Sequence, residues 1–256
     1  MKNKSRKSAK RLQNSFFWIY GYHATLAALR NPHRRKYELL ITSDAQKRIS
    51  HEKDFKVLNK VKQKILTRVE IDNLIGKNIN HQGLCLSVEK IHKKTIKEFI
   101  GDQNEAFSTL ILLDQLEDSQ NVGAIFRSAL AFNINGIILT ENQSVNENSF
   151  IAKSACGGID KVPFTYISNL SSAIKTLKDN GYWIYGLDGK ANKLINQIDF
   201  PNKTVLVLGS ESDGMRKITT SFCDELIKIK ISDQLESLNV SNTAAVAFYH
   251  LSQKIL

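Results

Sequence analysis

The last 150 residues of the chain alternate short apolar runs with amphipathic stretches. Runs at Thr109–Leu113, Gly136–Thr140, Phe164–Ile167, Trp183–Gly186, Thr204–Leu208 and Leu226–Ile231 have the length and the β-branched and aromatic content of buried strands. Strands alternating with helical stretches predict an α/β domain, a mostly parallel sheet covered on both faces. At the end of the chain, Ala244, Ala245, Ala247, Phe248 and Leu251 lie close to helical spacing within a run from Asn242 to Leu256. Ser241 is the N-cap candidate there, since its hydroxyl can satisfy a free N–H of the first turn.

The front half is patterned less sharply. Residues 1–15 show no apolar periodicity and read as a basic disordered arm, with a transit peptide as the rival reading. Residues 16–92 read as a small α/β domain. In it, Tyr20–Pro32 is a turn and a helix closed by Asn-Pro, and Tyr37–Thr42 is a strand. Lys53–Thr67 carries basic and apolar residues at helical spacing, and His81-Gln82-Gly83 turns into a strand ending near Val88. Residues 93–107 are polar and mixed in charge, a linker with room for one helical turn. The fourth segment is 108–256.

Charge separates the two halves. The net +11 comes from +6 in residues 1–15, +9 in 16–100 and −4 in 101–256. The front is suited to a polyanion, of which nucleic acid is the first choice. No apolar run approaches the ~20 residues that cross a bilayer, so no membrane partner is expected. Cys85, Cys156 and Cys223 are far apart and odd in number, which makes neither a disulfide framework nor a zinc pattern. They read as small apolar side chains in a reducing, cytoplasmic setting, with no metal expected.

Candidate chemistry lies in three stretches. Leu113–Ala129 and Val207–Met215 each run from an apolar strand through a Gly-bearing polar turn into a helix; Glu236–Ser241 is a polar loop before the last helix. Open α/β sheets bind ligands at such places, beyond the carboxyl ends of strands. Asn121 stands where a turn becomes a helix, so it can cap and face a crevice. Arg127, six residues on, carries the planar guanidinium that suits phosphate. Glu211 can orient Arg127 or a substrate amine, or cap the following helix. Gly209 and Gly214 would admit a ligand close to the backbone. Ser237 and Asn239 supply a hydroxyl and an amide.

These stretches, in this order, resemble the three motifs of the SpoU (TrmH-type) RNA 2′-O-methyltransferases. Gly21-Tyr22-His23-Ala24 and His81-Gln82-Gly83 resemble that family's N-terminal substrate-binding domain, which has an L30e-like fold. The resemblance implies a C-terminal sheet with a trefoil knot (a SPOUT-type fold), a homodimer, and S-adenosylmethionine as cofactor. It implies that backbone groups of Gly209, Ile229 and Leu238 hold the cofactor, with Ser210 and Asn239 beside them. It places Asn121, Arg127, Glu211, Ser237 and Asn239 in the catalytic group, Arg127 assisting the 2′-hydroxyl. Ala155-Cys156-Gly157 and Val162-Pro163 are closer to the 23S rRNA guanosine branch than to the tRNA branch. One departure stands out: many members have Ile-Pro-Met/Ile and then Gly two residues later, where this chain has Ile229-Lys230-Ile231-Ser232-Asp233. A looser cofactor loop, or a positive φ at Asp233, is the expected consequence. The activity expected is 2′-O-methylation of RNA, most directly a guanosine of 23S rRNA. The alternatives are tRNA as substrate, or an RNA-binding ribosome-assembly protein without catalysis.

Overall fold

The structure is a computed structural model. It describes residues 16–50, 58, 61–102, 106–141 and 144–253, so the expected arm 1–15 lies outside the described residues. The chain divides into two compact units, 1–92 with 147–161, and 93–146 with 162–256.

The first unit opens with β1 (Phe16–Tyr20), α1 (Tyr22–Arg30), β2 (Lys36–Ile41), α2 (Ser43–Ser50), β3 (Lys62–Ile65), α3 (Arg68–Ile75) and β4 (Leu84–Glu89). The sheet order is β1-β4-β2-β3, antiparallel except for β2 with β3. The aromatic run Phe16-Phe17-Trp18-Ile19-Tyr20 is the strand the sequence reading passed over. The helix expected across Lys53–Thr67 is corrected in its described part: Lys62–Ile65 pairs along β2, with Leu39 opposite Gln63 and Ile41 opposite Ile65. Alternating basic and apolar residues suit a half-exposed edge strand as well as a helix, and pairing with buried β2 decides between them. After β3, Thr67 forms a capping box with Glu70 and α3 starts at Arg68.

The second unit starts with α4 (Ile96–Gly101), inside the segment expected to be a linker. It is more than a connector. Thr95 and Glu98 form a capping box, and Phe99 and Ile100 are buried in the main core with Leu110, Ile138, Leu177 and Val205. Then come β5 (Ser108–Leu113), α5 (Ser119–Ala131) and β6 (Gly136–Thr140). After the segment bearing α6 (Ser149–Ser154), the unit resumes with β7 (Phe164–Ile167), α7 (Leu170–Asp179), β8 (Trp183–Leu187), β9 (Lys193–Leu194) and β10 (Lys203–Leu208). It ends with α8 (Lys217–Phe222), β11 (Glu225–Lys228) and α9 (Val240–Ser252). The seven strands lie in the order β7-β6-β5-β10-β8-β11-β9, and every pair is parallel. Successive residues of β5, β6 and β10 are buried whichever way they point, as a sheet covered on both faces requires.

Residues 147–161, within the segment 108–256, pack with the first unit. Arg34 explains why. Its guanidinium meets Glu147 at 2.6 Å and Asp160 at 2.5 Å and donates to the Glu89 carbonyl at 3.0 Å, all out of water. Asn31 donates to Asp160, and the Ile91 N–H to Glu147. Gly157, at φ +94°, lies so near α1 that a Cβ there would sit 2.6 Å from the Ala27 methyl. Charges this deep are tolerated only when paired, so the segment is held where Arg34 is.

Candidate functional site

A cleft of about 330 Å³ opens at the carboxyl ends of β8, β10 and β11. Leu208, Gly209, Ser210, Glu211, Ile229, Ser237, Leu238 and Val240 line it. The loop after β10 closes on itself: Ser210 N donates to Gly214 O and Gly214 N to Ser210 O, each at 3.0 Å. A Cβ at Gly209 would strike the backbone of Gly214 and Met215, so glycine is needed for this turn to pack.

The turn presents Glu211 to two amides. Its Oε1 accepts from Asn121 Nδ2 at 3.0 Å, from Asn239 Nδ2 through a short hydrogen bond, and from the Val240 N–H at 3.3 Å. Asn121 Nδ2 also donates to Asp118 at 3.1 Å, and its Oδ1 accepts from Asn239 at 3.1 Å. Three loops distant in sequence thus meet at one carboxylate, which is exposed to the cleft. Two capping expectations are corrected. Asp118, not Asn121, caps α5, leaving Asn121 inside the first turn with its amide turned to Glu211. Asn239, not Ser241, caps α9, accepting from the Ser241 and Asn242 N–H groups, while the Ser241 hydroxyl donates to the same oxygen. The Asn239 side chain reaches the N2 and N3 amides, which puts the cap two residues earlier than expected and the helix start at Val240.

The structure therefore gathers Asn121, Glu211 and Asn239, and places Gly209, Ser210, Ile229, Ser237 and Leu238 on the cleft wall. Arg127 is not in that group. Its side chain is exposed and is not among the cleft-lining residues. Six residues along an α-helix turn the side chain by about 240° and advance it about 9 Å, so Asn121 and Arg127 cannot share a face. Asp233 keeps a negative φ, against the expectation of a strained loop. The turn at 232–235 is held instead by Ser232, whose hydroxyl accepts from Gln234 N and whose carbonyl accepts from Leu235 N.

Sequence reasoning missed two contributions. Leu187, Asp188, Gly189 and Lys190 form a third cleft wall; the Asp-Gly turn directly after a predicted strand was the available signal. Buried Asp114, at the end of β5, takes the Arg216 guanidinium at 2.5 and 2.9 Å, the Arg216 N–H at 3.1 Å and the Thr219 hydroxyl at 2.6 Å. It pins the far end of the Gly209–Met215 turn to the sheet. Burial pushes the Cys85 and Cys223 thiols up to about 12, so neither is a thiolate nucleophile.

A wholly parallel sheet whose cleft lies beyond its strand ends, walled by Gly-bearing turns, defines a ligand-binding α/β domain. The particular family follows from comparison with known proteins. The SpoU rRNA Methylase family profile matches residues 108–249, and the chain belongs to that family. A profile described as RNA 2′-O ribose methyltransferase substrate binding matches residues 18–94. A 23S rRNA (guanosine-2′-O-)-methyltransferase, RlmB, of Coxiella burnetii is 33% identical over 92% of this chain and 95% of its own length. An uncharacterized tRNA/rRNA methyltransferase of Synechocystis is 33% identical over 95% of this chain, which spans 64% of that relative. In structure, the SpoU methyltransferase AviRb of Streptomyces viridochromogenes, solved with AdoMet, superposes with a TM-score of 0.77 at 20% identity, covering 96% of this chain and 93% of its own. That last likeness concerns the fold. Among the described residues, no helix is long and apolar enough to cross a membrane.

Proposed function

We propose that this protein transfers the methyl group of S-adenosylmethionine to the 2′-hydroxyl of a guanosine in 23S rRNA, in the cytoplasm, as a homodimer. The observation that carries the reading is the Asn121–Glu211–Asn239 cluster, whose Glu211 lines a cleft built around Gly209. The residues present fit the cofactor. Leu187, Leu208, Ile229 and Leu238 offer an apolar slot for an adenine, and the close approach at Gly209 leaves backbone groups at its edge. When bound, the cofactor supplies an electrophilic methyl on a sulfonium.

The chain's own part is to bring a poor nucleophile into line. Alignment alone is worth on the order of 7–11 kcal/mol in well-oriented cases. Asn121 and Asn239 are spent on holding Glu211, so they act as positioning residues. Glu211 keeps its Oε2 for a donor from the substrate, and Ser237, exposed on the same wall, offers a hydroxyl. Arg127 binds the phosphate beside the reacting ribose. Because Arg127 lies away from the cleft of its own chain, the dimer of this reading supplies it to the partner's cleft. The resemblance's trefoil knot belongs to the same reading.

RNA is required, since DNA has no 2′-hydroxyl. The name of the Synechocystis relative keeps tRNA as the second substrate. The test is transfer of labelled methyl to 23S rRNA and to tRNA separately, with mapping of the modified ribose. One guanosine in 23S rRNA is expected; label in tRNA alone overturns the substrate, and no label in either overturns the activity. Mixing inactive Arg127→Ala with inactive Glu211→Gln should restore up to a quarter of wild-type turnover through one intact site per mixed dimer. Absence of rescue rules out the shared site.

A further inference from the structure

Two turns of the first unit carry the residues that suit RNA contact, and one lysine joins them. Gln82, at φ +54°, lends its Oε1 to the Tyr22 N–H at 2.9 Å, capping α1 where Gly21 has no side chain to do so. Lys153, on α6, donates from its ammonium to the Asn80 carbonyl at 3.0 Å and to the same Gln82 Oε1 at 3.4 Å. The ammonium rests against Gly21, where any Cβ would collide with it. Lys153 is half-buried, and burial lowers its pKa against the opposing pull of Cys156 and Cys85. A cation taken from water in this way needs the acceptors it has found.

Around this joint the exposed groups are the Arg48 guanidinium, the His23 imidazole and the Gln82 amide, with the Tyr22 ring buried beneath them. The Arg48 guanidinium lies 3.8 Å over the Tyr22 ring, His23 meets that ring edge-on at 5.5 Å, and the Gln82 side chain reaches solvent. Arginine and aromatic planes with a free amide suit unpaired nucleotides and their phosphates. Behind them, His81 is fixed. Its Nδ1 accepts from the Gly83 N–H at 3.0 Å and its Nε2 faces Asp72 at 3.3 Å.

We infer that Lys153 is a positioning residue for RNA: from a segment remote in sequence, it locks the Gly21–His23 and His81–Gly83 turns together and so sets the RNA-contacting groups they carry. This rests on the RNA-methylation reading above. The substrate-binding function then depends on residues beyond 18–94, the span that the substrate-binding profile matches.

The experiment is steady-state methylation by the full-length protein, varying 23S rRNA at saturating S-adenosylmethionine. Lys153→Met should raise the KM for RNA about tenfold, with kcat and cofactor affinity within about twofold of wild type. Gln82→Met, at an exposed position, should raise KM similarly. The double variant should be no worse than the poorer single one, because both break one joint. Unchanged KM in both single variants, or fully additive losses, overturns the inference. So does a parallel fall in kcat and cofactor affinity, which would mark general loss of fold. A wild-type protein that methylates no RNA fails the functional reading instead, and that result is told apart before any variant is made.

Discussion

Two glutamates, Glu147 and Glu211, each tie together parts of the chain far apart in sequence, and they do so by opposite means. Glu147 is buried beside Arg34 and Asp160, two carboxylates sharing one guanidinium. Desolvation raises its pKa, with the Arg34 charge pulling the other way. Glu211 is exposed, and neutral amides hold it in place. A buried ion pair has no surface to offer a substrate, so Glu147 is committed to the fold. A carboxylate held by amides on one oxygen leaves its other oxygen for the cleft, so Glu211 is available for chemistry.

The largest effect should come from breaking the buried side. Arg34→Met leaves two uncompensated carboxylates and should cost about 3–5 kcal/mol of stability, read from denaturant unfolding. A loss under about 1 kcal/mol would mean that water reaches the cluster. On the cleft side, Glu211→Gln should lower kcat about a hundredfold while leaving the unfolding midpoint within a few degrees of wild type. Comparable losses in both quantities would erase the distinction between the two glutamates.

A gentler change separates charge from shape. A carboxyl whose folded pKa is raised holds its proton more tightly folded than unfolded. Its contribution is full below the ordinary glutamate value and is lost as pH rises through the folded value. Glu147→Gln should therefore remove that part of the wild-type decline in stability with rising pH. Superimposable profiles for Glu147→Gln and wild type would contradict the burial argument. The smallest effect is expected at Asp233→Gly. Since φ there is already negative, glycine relieves nothing, and cofactor affinity should stay within about twofold.

Much of the second unit was legible because a strand buried on both faces leaves a plain mark. Gly136–Thr140 and Phe164–Ile167 were read with the boundaries the structure has. Lys62–Ile65 was misread because an edge strand of alternating lysines has no apolar face, and only its partner β2 reveals it. At the site, Gly209, Glu211 and Ser237 were readable as turn or loop residues after strands, whereas Ser210, Ile229 and Leu238 came only from the family resemblance. That Asn121 and Asn239 would be consumed on Glu211 was not, since a side-chain amide's partners depend on which loops meet.

The sequence by itself determined the alternation of strand and helix, the segregation of charge and the turns that follow each strand, because these depend on spacing and composition along the chain. Tertiary structure alone decided that residues 147–161 pack with Arg34, Asn80 and Gln82 of the first unit, and that three distant stretches converge on Glu211. A buried charge or an amide donor takes whatever partner the fold brings near it, and sequence separation says nothing about that distance.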